Sequence, residues 1–403
     1  MTSGTDWAAQ GVRNSWVLLA AQSINGATPV LAVSLGGLAG AHLLGDDQSL
    51  ATLPVAGFTV GAAAGALPAA LLMHRIGRRA GLIWGEVLAI VAVLAAATAI
   101  WAESFWFFVA ALAAAGFSGA FVQQYRFAAA EAVPAELRPI AISRVMIGGI
   151  VTAVAAPPVF LATRNLFDPV PFVGAFVTMA VAACVGIGVL GLLRFPPRPR
   201  RGEPSPETGG RAFAEIARQP RFLIALLCAT ASFALMSFVM TAAPLAMVDH
   251  QHSEADALLG IQWHVIAMFA PSLVTGRLIA RFGTETIVAV GLVLLIISAV
   301  VGLAGLELLH FWGMLILLGV GWNFAFVGAT TMLTGTYTEA ERGRVEGIND
   351  LIVFSTVALA SLSSGAVLSQ SGWVTINVIV LPVVGIVLVT LLGFVLRARQ
   401  ATH

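Results

Sequence analysis

An all-α polytopic membrane protein, with twelve transmembrane helices in two six-helix bundles, is the fold class that three features of the sequence predict. Hydrophobic residues make up 59% of the 403 positions and charged residues only 10%, for a mean hydropathy of +0.93. A soluble domain of this length needs far more charge to stay hydrated, so lipid is the main solvent. Apolar runs of about 20 residues, enough to cross a ~30 Å hydrocarbon core at ~1.5 Å per residue, recur along the whole chain. The basic residues, all arginine, gather in alternate loops between those runs.

Taken in order, the first half places spans at Trp16–Ala39, Leu53–Met73, Gly81–Trp101, Ser104–Gln124, Ile140–Ala162 and Val170–Leu193. The second half places them at Phe222–Met247, Ala257–Ala280, Thr286–Leu303, Leu308–Thr334, Gly347–Leu368 and Trp373–Leu396. Arg75, Arg78 and Arg79 separate spans two and three, and Arg126 and Arg138 separate four and five. Arg198, Arg200, Arg201, Arg211 and Arg218 lie between six and seven, and Arg281, Arg342 and Arg397 continue the alternation. The opposite loops carry Asp46, Asp47, Glu103, Asp168, Asp249, Glu254 and Asp256, with Arg164 as the exception. The positive-inside rule then puts both termini and the central loop in the cytoplasm of a bacterial inner-membrane protein. The first thirteen residues show an isolated Arg13 and no cleavage pattern, so no removable signal peptide is expected. Cys184 and Cys228 fall inside apolar spans and read as small buried hydrophobes, not as a disulfide framework.

The midpoint changes character. PPRPRRGEPSPETGG is rich in proline, glycine and charge, a linker composition. The expected organisation is an N-terminal bundle over 1–197, a cytoplasmic linker over 198–220 and a C-terminal bundle over 221–403. Landmarks repeat across it. His74-Arg75-Ile76-Gly77-Arg78-Arg79 follows span two and Ala280-Arg281-Phe282-Gly283 follows span eight, an offset of 206 (281 − 75). Glu136-Leu137-Arg138 opens span five and Glu341-Arg342 opens span eleven, an offset of 204 (342 − 138). Two landmarks with nearly one offset indicate a duplicated six-helix unit in parallel orientation.

The loop HRIGRRAG resembles the signature between helices two and three of the major facilitator superfamily, and GRLIARFG, from Gly276 to Gly283, resembles its weaker second copy. The resemblance implies a central cavity between two halves that opens alternately to either side, with His74, Arg75, Gly77, Arg78, Arg79, Arg138, Gly276, Arg281, Gly283 and Arg342 in gating or conformational roles. The family usually has Asp, part of its outward-open latch, where this chain has His74. The fold alone names no substrate.

Soft donors mark the candidate site. Met236 and Met240 stand four apart on span seven, and His264 and Met268 stand four apart on span eight. Three thioethers and an imidazole suit copper, Cu(I) above all, and avoid permanent charge in lipid. Counted at ~1.5 Å per residue, all four reach from near the midplane to somewhat above it. The competing reading is packing, the usual role of Met-x-x-x-Met in a membrane helix. MSFVMTAAP and QWHVIAM further resemble the paired motifs of CcoA-type copper importers, which serve assembly of cbb-type haem-copper oxidases. That resemblance implies Met236, Met240, His264 and Met268 as ligands for copper on its way into the cytoplasm.

At the periplasmic mouth, Met247, Asp249, His250 and His252 read either as a collecting point for metal or as a solvated loop. Glu86, near the arginine-rich loop, is expected to be ion-paired, and Glu346, Asn349 and Asp350 to make inter-helix gate contacts. The sequence has no P-loop, HEXXH or nucleophile-elbow motif, so an enzyme or ATP-driven pump has no support. The expected function is copper import, with copper as substrate and no permanently bound cofactor. The expected partners are the bilayer and cytoplasmic copper carriers or thiols, without nucleic acid. A proton-coupled exporter of apolar compounds and a membrane copper sensor or assembly partner stand as alternatives.

Overall fold

The computed structural model describes residues 4–45, 50, 53–195 and 210–400. Asp46, Asp47, Arg198, Arg200, Arg201 and most of the linker lie outside them. The elements are α1 (Gly4–Asn25), α2 (Ala27–Leu44), α3 (Leu53–Ile76), α4 (Arg78–Trp101), α5 (Phe105–Gln123), α6 (Tyr125–Glu131), α7 (Arg138–Thr163) and α8 (Val173–Leu190). The second half continues with α9 (Phe213–Ala217), α10 (Pro220–Asp249), α11 (Glu254–Phe269), α12 (Ser272–Phe282), α13 (Thr284–Ala304), α14 (Leu308–Leu333) and α15 (Arg342–Gln400). No strand occurs among the described residues. Ten of the described helical stretches are long and apolar enough to cross a membrane. One of them, α15, holds two spans joined at Gly372 (φ 75°, ψ 176°), and α1 with α2 occupies the place of the first expected span. Those account for the expected twelve.

Helix α4 is polarised by size more than by polarity. On α4 the inward face carries Gly81, Gly85, Ala89, Ala92, Ala96 and Ala99, while Trp84, Leu88, Val91 and Leu94 are exposed. Apolar surface facing outward is stable only in lipid, and small residues facing inward let backbones approach closely enough for dispersion to hold the bundle. The α3–α5 seam is the tightest instance: a Cβ on Gly61 would fall on the Ala113 carbonyl, and one on Gly116 on the Phe58 carbonyl.

The internal repeat survives as conformation. Gly77 joins α3 to α4 at φ 96°, ψ 153°, and Gly283 joins α12 to α13 at φ 85°, ψ 152°. Only glycine adopts that region without strain. The two turns are 206 residues apart (283 − 77), the spacing of the arginine landmarks.

Two compact units divide the chain. One comprises Met1–Pro134, Arg144–Gly210 and Glu339–Phe354; the other comprises Ala135–Ser143, Arg211–Thr338 and Ser355–His403.

Candidate functional site

In the first unit, buried charges form a compensated network. Arg78, at the start of α4, pairs with Glu131 on α6 and with Glu346 on α15 at 2.5 Å. Its Nη1 donates to Gln124 Oε1 at 3.0 Å. Gln124 Nε2 passes the connection to Asp350 Oδ2 at 3.1 Å, and Asp350 pairs with Arg126 at 2.5 Å and accepts from Asn349 at 3.0 Å. Arg342 closes the network on Glu131 Oε2 at 3.0 Å. Three guanidinium groups thus face three carboxylates in a region where Arg78, Arg126, Gln124, Glu346 and Asp350 are buried. Mutual neutralisation is what makes such burial tolerable in a low-dielectric bundle.

A second polar group lies deeper in the same unit. Glu86, about 12 Å along α4 from Arg78 by helix rise, is buried and accepts a 2.7 Å hydrogen bond from the Tyr125 hydroxyl. Tyr125 accepts in turn from Asn25 Nδ2 at 2.9 Å. Among the described residues no ion pair includes Glu86, so the ion-paired role expected for it is corrected. Arg78, two turns back on the same helix, is instead paired with Glu131 on α6 and Glu346 on α15.

The second unit carries an interrupted span. Pro271 has no N–H, and α11 stops at Phe269 before α12 resumes at Ser272. Asn323, buried on α14, mends the gap: its Nδ2 donates to the Met268 carbonyl at 2.6 Å and to Ser272 Oγ at 2.7 Å, and its Oδ1 accepts from Thr275 at 2.7 Å. Beside the gap sits an aromatic quartet. Trp322 and Phe326, one turn apart on α14, stack at 5.2 Å and 13°. Phe233 of α10 meets both edge-on at 5.2 and 5.1 Å, and Phe269, the last residue of α11, meets Trp322 at 5.9 Å. Phe233 and Phe269 are only half-buried, whereas Trp322 is buried with its Nε1–H unbonded among the described residues.

The soft donors expected to form a site are placed as follows. Met236, His264 and Met268 are buried and Met240 half-buried. His264 Nδ1 donates to the Leu315 carbonyl at 2.7 Å, tying α11 to α14 and leaving Nε2 without a partner among the described residues. Among those residues no group of three or more His, Cys, Asp or Glu side chains is placed to hold a metal. At the mouth, Met247 is fully buried while Asp249 and His250 are exposed. His252 bonds the Leu306 carbonyl at 2.8 Å, and Ser253 with Asp256 forms a capping box that starts α11.

The remaining landmarks divide by burial. Arg75, Arg79 and Arg281 are exposed, the last over the Phe282 ring at 5.3 Å. His74 lies half-buried against Gly343. Arg138 donates to the Thr334 carbonyl at 2.9 Å, and Gly276 is pressed against Pro139 and Ile140 so that a Cβ would meet both at 2.7 Å.

Residues 15–301 and 225–403 match the Major Facilitator Superfamily. A curated relative, the riboflavin transporter RfnT of Brucella anthropi, is 47% identical over 380 residues, covering 94% of this chain and 95% of its own. The uncharacterised MFS-type transporter YdeG of Bacillus subtilis is 27% identical over 91% of this chain and 88% of its own. Among solved structures, FucP in the outward conformation superposes with a TM-score of 0.74 at 13% identity, over 93% of this chain and 97% of that one.

The near full-length likeness to a riboflavin transporter overturns copper as the cargo. With it go hand-over to copper carriers or thiols and supply of an oxidase, and Met236, Met240, His264 and Met268, with Met247, Asp249, His250 and His252 at the mouth, lose the cargo for which they were read as ligands. The physical reason for the misreading is that i, i+4 spacing also serves packing. His264 is held by a backbone carbonyl, and the Met268 backbone by Asn323.

Proposed function

The chain belongs to the Major Facilitator Superfamily, a transporter and not an enzyme, and from that premise we propose that it carries riboflavin across a membrane by alternating access. The observation that carries this reading is the 47% identity to a riboflavin transporter along nearly the whole of both chains.

The chemistry of the chain supports it. Riboflavin is an uncharged, planar tricyclic ring bearing a polyhydroxylated chain, so its carrier needs aromatic faces and neutral hydrogen-bonding groups. Phe233, Phe269, Trp322 and Phe326 offer the first at a break in a span, where transporter sites gather. The unbonded Trp322 Nε1–H is a donor for a ring carbonyl. In this reading His74, Arg75, Gly77, Arg78, Arg79, Arg138, Gly276, Arg281, Gly283 and Arg342 serve the conformational cycle, with the Arg78–Glu131–Glu346 network as its charged latch. Bundles over 1–197 and 221–403 joined by a cytoplasmic linker, an inner-membrane location and cytoplasmic termini belong to the same proposal.

Membrane vesicles from cells expressing the chain test it. They equilibrate labelled riboflavin faster than vesicles without it, and excess unlabelled riboflavin suppresses the difference while copper salts do not. Equal rates in the two preparations, with the protein present in the membrane, would overturn the reading.

A further inference from the structure

Helices α1 and α8 leave an open groove of about 540 Å³ between them. That volume lies within the ~300–1,000 Å³ range of sites for small organic ligands. On α1 its wall includes Ala9, Arg13, Trp16 and Ala20, whose spacing of four, three and four residues puts them on one helical face. Val189 of α8 and Leu192 just beyond it form the other wall. Apart from Arg13, every side chain lining the groove is apolar. Trp16 and Leu192 are each 55% exposed, so protein leaves the groove uncovered, and apolar surface of this kind is stable only against lipid.

Positive charge gathers at one end. The buried Asn14 clamps Arg194 to α1 by two bonds: its Nδ2 donates to the Arg194 carbonyl at 2.7 Å, and its Oδ1 accepts from the Arg194 N–H at 3.1 Å. Gln10 Nε2 donates to the same carbonyl at 3.3 Å. The chain after Leu192 is thereby fixed beside Arg13, and both arginines are exposed. Among the described residues no ion pair includes either of them. A third arginine, Arg144 of α7, lies over the Trp16 ring at 4.7 Å and donates to Ser15 Oγ at 2.6 Å, so the cationic surface continues round the indole.

Acidic groups do not offset this charge. The sequences of α7 and α8 contain none, and α1 has only Asp6, ~10 Å before Arg13 by helix rise. Glu131, on the adjacent α6, is engaged by Arg78 and Arg342.

We infer that the α1–α8 groove binds a phospholipid with a net anionic headgroup, its phosphate held by Arg13 and Arg194 and an acyl chain lying along Trp16 and Leu192. Guanidinium groups bind phosphate oxygens through paired, charge-assisted hydrogen bonds, and an indole at the rim marks the level where headgroup gives way to hydrocarbon. A zwitterionic headgroup would bring an ammonium among the arginines, with no described carboxylate free to receive it; an anionic one meets no such conflict. The bound lipid ties α1 to the end of α8, and the site is separate from any flavin contact.

Delipidated full-length protein in detergent, given equimolar dioleoylphosphatidylglycerol and dioleoylphosphatidylcholine, tests this by native mass spectrometry. The wild type retains the anionic lipid over the zwitterionic one by about thirtyfold, from a factor of about five for each arginine near an anionic headgroup. Arg13→Gln combined with Arg194→Gln brings the ratio close to one while retention of phosphatidylcholine is unchanged. Arg397→Gln, at an exposed arginine of α15, keeps the wild-type ratio. A second measurement locates the acyl chain. Phosphatidylglycerol with brominated chains quenches tryptophan fluorescence of the wild type more than brominated phosphatidylcholine does, and Trp16→Phe removes the excess. Equal retention of the two lipids by the wild type, a preference that survives in the double variant, or excess quenching that survives in Trp16→Phe would overturn the assignment.

Discussion

Removing Arg78 is expected to destabilise the protein far more than removing the arginine beside it. The Arg78 side chain is 4% exposed, Glu346 is fully buried and Glu131 is 18% exposed. Without Arg78, two guanidinium groups face three carboxylates, and Gln124 Oε1 loses its donor. Breaking a buried pair from one side costs about 3–5 kcal/mol, because a charge is left uncompensated. At 1.4 kcal/mol per decade this shifts the unfolding equilibrium by roughly two to three and a half orders of magnitude. Arg78→Ala combined with Glu346→Gln restores the balance of charge, so the double variant recovers about 2 kcal/mol of the loss. Arg79→Ala, on the exposed neighbour, stays within about 0.5 kcal/mol of wild type. Reversible unfolding in mixed micelles, followed by tryptophan fluorescence, reads all three. A cost below 1 kcal/mol for Arg78→Ala, or additive losses in the double variant, would refute the idea that this network is a neutralised buried cluster.

Gly77→Ala and Gly283→Ala each cost about 1–3 kcal/mol in the same unfolding assay, and by similar amounts, since neither position has an atom within 4 Å of an added Cβ and the strain is backbone alone. Asn323→Ala removes three buried hydrogen bonds at the α11–α12 interruption; at about 0.6 kcal/mol for each bond between membrane helices, it lowers stability by about 2 kcal/mol. Trp322→Phe keeps the ring and removes the donor, so the half-saturation concentration for riboflavin rises about fivefold with little loss of stability; an unchanged value would exclude Trp322 from the flavin contact.

The spans were legible because lipid imposes length and apolarity directly. Leu308–Thr334 was expected where α14 runs Leu308–Leu333, and Thr286–Leu303 where α13 runs Thr284–Ala304. The gap in helical hydrogen bonding at Pro271 was not, because mean hydropathy is blind to one proline within an apolar run. The repeat was legible from arginine spacing, and the matching conformations of Gly77 and Gly283 give it a physical basis. The soft donors invite a copper reading, and the aromatic group invites none. Met236, Met240, His264 and Met268 drew attention as donors, although their spacing equally describes a packed face. Phe233, Phe269, Trp322 and Phe326 carry no mark in an apolar sequence, and what sets them apart is their convergence from three helices beside Asn323. That convergence had one visible signal, an aromatic followed by a buried amide, Trp322-Asn323, in the middle of a span. Depth counting put Glu86 near the arginines but not on which face of α4, and the face decides that its partner is Tyr125.

The most direct test of the central claim uses the purified protein alone in liposomes loaded with unlabelled riboflavin. Labelled riboflavin outside is taken up by exchange, and Trp322→Phe needs more of it to reach the same rate. Liposomes carrying correctly folded protein that exchange no more riboflavin than empty ones would contradict it.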